Sequence, residues 1–107
     1  MTASVASGSQ SATLSTEHTL ATITTAGNYV LVVDMNAMLN GDYTELRIKT
    51  KAKSGGTSRL YAYAIFAHIQ AELNKCSIPV AIDVEAVFTL KQIFGTGRTY
   101  DWNVLQL

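Results

Sequence analysis

Residues 81–91 read AIDVEAVFTLK, and their alternation constrains the fold more than any other stretch of the chain. Ile82, Val84, Ala86, Phe88 and Leu90 fall on one face. Asp83, Glu85, Thr89 and Lys91 fall on the other, with Val87 the only apolar residue among them. A period of two over eleven residues fits a half-buried strand and no helix. Residues 43–51 (YTELRIKTK) repeat the pattern, with Leu46 and Ile48 on one side and Glu45, Arg47, Lys49 and Lys51 on the other.

The remaining segments read as strands joined by turns. Thr19–Thr24 is short and rich in β-branched residues, and Ala26-Gly27-Asn28 supplies turn chemistry. Tyr29–Val33 (YVLVV) is a continuous apolar run of the kind covered on both faces. Asp34 is placed to cap one helical turn over Met35–Leu39, with Gly41 past its end. Ser54-Gly55-Gly56-Thr57 is a hairpin-type loop. Residues 59–70 (RLYAYAIFAHIQ) hold enough alanine for a helix but show no helical stripe, so they are assigned to a strand. Pro79 falls between strands, Gly95-Thr96-Gly97 breaks the chain, and Thr99–Leu107 forms the last strand. Six or seven strands in 107 residues predict one all-β domain, an antiparallel β-sandwich of jelly-roll type over residues 17–107. Residues 1–16 are half Ser or Thr and carry no charge, which predicts an extended, flexible N-terminal arm. They have neither the basic nor the apolar region of a signal peptide, so folding in a cytoplasm is expected.

Charge and composition narrow the function classes. Eight basic and eight acidic residues balance to zero, which argues against a nucleic-acid partner. No apolar run approaches the ~20 residues of a membrane helix. Cys76 is alone and reads as a small half-buried hydrophobe. Asp83 and Glu85 share a solvated strand face, and Asp34 with Asp42 lacks the spacing of a calcium loop. His18 and His68 stand fifty residues apart, outside any ligand cluster. Gly95-Thr96-Gly97-Arg98 lacks the Lys-Ser/Thr and following helix of a phosphate loop. No nucleophile–base set has workable spacing, so the chain is read as no enzyme, with no cofactor and no metal.

Two surfaces are marked for partners. Arg47, Lys49 and Lys51 step by two and form a basic ladder. They read either as a protected sheet edge or as a strip for an acidic partner. The aromatics Tyr61, Tyr63 and Phe66, with His68 beside them, and Tyr100 and Trp102 on the last strand, are core residues or an oligomer interface.

The runs TITTAGNYVLVVD, NGDYTELRIKTK, SGGTSRLYAYA and LKQIFGTGRTYDWNVLQL resemble small virion proteins of tailed bacteriophages, over about residues 19–107. The resemblance implies a capsid decoration (cement) protein. Such a protein forms a homo-oligomer, with a trimer favoured, that bridges capsomers of the major capsid protein. It is assembled in the host cytoplasm and sits on the capsid surface of the virion. On this reading Ser9, Ser11, Thr13, Arg47, Lys49 and Lys51 contact the shell, while Tyr61, Tyr63, Phe66, His68, Tyr100 and Trp102 hold the oligomer. A carbohydrate- or receptor-binding module of a phage tail, or another tail or neck subunit, are the alternatives.

Overall fold

A computed structural model describes residues 3–107 as nine antiparallel strands in two sheets. They are β1 (Ala3–Ser11), β2 (Glu17–Ile23), β3 (Gly27–Asp34), β4 (Tyr43–Thr50), β5 (Arg59–Ala67), β6 (Asn74–Cys76), β7 (Val80–Ile82), β8 (Ala86–Phe94) and β9 (Thr99–Gln106). One sheet runs β1-β9-β3-β6, with β7 also on β3, and the other runs β2-β8-β4-β5. The all-β sandwich read from the sequence is therefore the fold. It has one strand more than the eight of a jelly roll, because β6 and β7 are two short pieces set on the same strand β3.

The alternating segments face inward as their pattern requires. Phe88 and Leu90 of β8, Ile48 of β4, Tyr29, Leu31 and Val33 of β3, and Tyr100 and Val104 of β9 form one buried cluster. Residues 81–91 are not one strand, however. The chain bends at Asp83–Val84, so β7 belongs to one sheet and β8 to the other. Ile82 and Ala86 both remain core residues. The period survives the corner because both sheets face the same interior, and alternation alone does not distinguish one strand from two.

Three further expectations are corrected. No helical turn forms over Met35–Leu39. Asp34 Oδ1 instead accepts the Asn36 amide at 2.9 Å and Met38 N donates to Met35 O at 3.1 Å, giving a plain turn. Residues 3–11 are no free arm, because β1 pairs along β9 from Ala3↔Gln106 to Ser11↔Thr99; residues 1 and 2 of the expected arm lie outside the described residues. A Ser-rich stretch buries little side chain, but ladder pairing asks only for backbone groups. Finally, β4 lies between β8 and β5, so the basic ladder is not on a sheet edge.

Candidate functional site

The residues marked by the sequence divide sharply by location. Tyr100 is 0% exposed and is a core residue rather than an interface one. Trp102 is half-buried, packed against the core cluster, and Gly8 of β1 lies against its indole. Phe66 is also half-buried. Tyr61, Tyr63 and His68 are exposed, Tyr63 at 61%. The aromatic set therefore does not form one surface. An inward-facing position on β9 and an outward-facing one on β5 look alike when only composition is read.

The shell-contact set also changes meaning. Arg47 pairs with Glu45, Lys49 Nζ sits 2.9 Å from Glu17 Oε1, and Lys51 Nζ sits 2.8 Å from Glu85 Oε2. Each cation of the ladder thus carries its own carboxylate, and the strip has no free positive surplus. Lys49 holds Glu17 below the usual carboxylate range, against a smaller opposing effect of burial. Glu45 raises the Arg47 guanidinium above its ordinary value. Only Glu45 is near in sequence; Glu17 and Glu85 arrive through the sheet pairing. Ser9 donates to Asp101 and the Ser11 hydroxyl pairs with Thr99 at 3.2 Å, so both hydroxyls are engaged across the β1–β9 ladder. The Thr13 amide donates to His18 Nε2 at 3.0 Å.

Sequence reasoning missed the best-organised polar cluster. Asp42 is 1% exposed. Its Oδ2 accepts from the Leu39 amide and from Arg98 Nε, both at 2.9 Å, and its Oδ1 accepts from the Thr96 amide at 3.1 Å. Burial pushes the carboxyl up, but these donors outweigh it and hold the group below the usual aspartate range. Gln92, fully buried, accepts from the Arg98 amide and the Tyr100 hydroxyl and donates to the Phe94 and Thr96 carbonyls. Tyr100 also meets Thr44 at 2.8 Å, and burial raises its phenol pKa. The Gly-Asp before β4 and the Gly-Thr-Gly-Arg before β9 mark two turns in the sequence, but no local signal pairs them. Their role is to clamp two loops together. Every partner is used internally, and no cluster of three or more His, Cys, Asp or Glu fit for a metal occurs among the described residues.

What remains is a flank. Strand β5 ends its sheet, and its Leu60, Tyr61, Tyr63 and Ile65 are all about half exposed or more. Ile69 and Leu73, in the connection to β6, and Ile78, after it, are also exposed, and Ile78 lies beside Tyr63 and Phe66. On the inner side, between β5 and β6, a cleft of about 260 Å³ opens among Leu31, Leu46, Ile48, Ala62 and Phe66. Lys75 stands over the Phe66 ring at 5.3 Å. Cys76, expected half-buried, is exposed at this rim, because β6 is only three residues long and nothing covers it. His68 sits at the end of β5 with φ of 65°, its Nδ1 accepting the Gly41 amide at 2.9 Å.

Comparison with protein families, curated proteins and solved structures finds no match for this chain.

Proposed function

We propose that the chain is a non-catalytic assembly subunit that works by burying its β5 flank against other protein. The observation that carries this reading is the run of half-exposed apolar side chains from Leu60 to Ile65, with Ile78 beside it. A contiguous apolar surface of this kind marks an interface. Fully burying one such side chain stabilises by about 1.5–3 kcal/mol, and much of that gain is still open at residues this exposed. The carboxylates and the cations of the ladder are engaged with one another, and the flank gathers more exposed large apolar side chains on one strand than any other element.

The resemblance to phage virion proteins gives the reading its specific form. The subunit is a capsid decoration protein, copies of which associate and bridge capsomers of the major capsid protein. The paired charges of β4 move the contact away from Arg47, Lys49 and Lys51 and toward the apolar flank. The tail-module alternative loses two of its aromatics, because Tyr100 and Trp102 are turned into the sandwich.

Sedimentation or light scattering over a range of concentrations tests the assembly reading. A mass that is a multiple of 11.6 kDa is expected, falling to the single-chain value in Ile65→Lys. Ile65 is half exposed, so the substitution leaves the core alone. A wild-type chain that stays at one-chain mass at every concentration contradicts the reading. The capsid form is tested separately by mixing the chain with undecorated heads and measuring co-sedimentation.

A further inference from the structure

We infer that β5 pairs with β5 of a second copy, antiparallel about a two-fold axis at Tyr63, joining two four-stranded sheets into one of eight strands. The inference rests on the assembly reading and names its partner as another copy of this chain.

Three observations lead there. The first is that β5 is a long open edge. Its neighbour β4 takes one side, and the other side is unpaired over nine residues. Edge strands are normally guarded by charge, proline, brevity or a bulge. Of the other edges, β6 and β7 have three residues each and β2 carries Glu17 and a register shift at Thr19/Ala21; β1 matches β5 in length and also has one shift, but its side chains are small and Ser-rich rather than large and apolar. From Leu60 to Ala67, β5 has neither charge nor proline; Arg59 stands at its end. Its irregular step lies opposite Ile48/Lys49, at Tyr61, leaving Ala62–Ala67 in plain register.

The second observation is that the strand is a near-palindrome in size. About Tyr63, Ala62 mirrors Ala64 and Tyr61 mirrors Ile65; the match ends there, because the irregular step at Tyr61 sets Leu60 across from Lys49 on the outer face while Phe66 lines the cleft. An antiparallel dyad through Tyr63 sets these residues opposite one another. Opposed residues share a sheet face, so large meets large and small meets small. A self-complementary surface is what a two-fold interface demands.

The third is the distribution over the faces. Ala62 and Ala64 lie across from Ile48 and Leu46, which face inward, while Tyr63 and Ile65 lie across from Arg47 and Glu45 on the outer face. The small pair therefore sits on the cleft side, and the exposed Tyr63 and Ile65 form a cross-copy row outside. Such pairing makes dimers or assemblies of dimers; it does not make a trimer.

Cross-linking tests the axis. At a dyad, Tyr63 faces its own copy at a Cα separation of about 4.5–5.5 Å, which a disulfide spans. In a Cys76→Ser background, full-length Tyr63→Cys is expected to give a covalent dimer on mild oxidation, and Arg59→Cys none. Mixing Tyr61→Cys with Ile65→Cys is expected to cross-link well above either variant alone. An even-numbered mass for the unmodified chain completes the expected result. A trimeric mass, or an oligomer in which the thiol of Tyr63→Cys stays free and the mixed pair does not join, overturns the dyad and leaves the assembly reading standing. A chain that is monomeric throughout overturns both.

Discussion

Asp42→Ala is expected to lose about 3–5 kcal/mol of folding stability, the usual cost of removing one partner from a buried ion pair. The carboxylate is the shared acceptor of two backbone amides and of Arg98, and it lies within the fold rather than on it. Its removal leaves the Leu39 and Thr96 amides without their acceptor and the largely covered Arg98 side chain without its counter-charge. Chemical denaturation with urea, read by Trp102 fluorescence or far-ultraviolet circular dichroism, checks the loss. The pH dependence follows from the same contacts. The carboxyl of Asp42 has a folded pKa below its unfolded value of about 3.9. Its contribution is therefore complete above that value and fades as the pH falls through the folded pKa. The wild-type chain should lose stability in that acid range, and Asp42→Asn should start less stable at pH 7 with a flatter acid limb. A wild-type stability unchanged by Asp42→Ala would show that the clamp holds nothing.

Gly95→Ala is the second large effect. Gly95 has φ of 95°, where a Cβ is strained by about 1–2 kcal/mol. A Cβ built there stands 2.0 Å from Asp42 Oδ1 and 2.8 Å from its Cα. The side chain can rotate away only by giving up the Thr96 and Arg98 contacts, and the backbone has no such escape. The expected loss is at least that of Asp42→Ala, and the two substitutions should be far from additive because they break one cluster. Gly41→Ala is the control: its φ is also positive, but nothing lies within 4 Å of an added Cβ. It should cost only the backbone strain. Equal losses at Gly41 and Gly95 would contradict the steric account.

These two positions show where the sequence was readable and where it was not. Alternation placed β4 and the inward face of β8 correctly, because a strand with one wet face writes its geometry directly into its residues. It also favoured a strand over a helix for β5, although its three alanines have high helix propensity. What it missed depends on contacts distant in sequence. Asp42 and Arg98 are 56 residues apart, so a turn aspartate and a loop arginine gave no sign of being partners. Lys49 and Glu17, 32 residues apart, looked like members of separate surfaces. The β1 ladder escaped because its pairing is carried by backbone, and a Ser-rich strand resembles a frayed terminus when only side chains are read. Tyr100 and Tyr63 are the same residue type on strands of similar length, and only the topology puts one in the core and the other on an open edge.

The most direct measurement of the account is amide hydrogen exchange along β5, followed as the protein is concentrated. Backbone groups on an unpaired edge exchange quickly, and a new ladder protects them. The account predicts that amides within residues 61–65 slow as copies associate, while those of the β1 edge keep their rate. Exchange in β5 that stays fast and independent of concentration would contradict it.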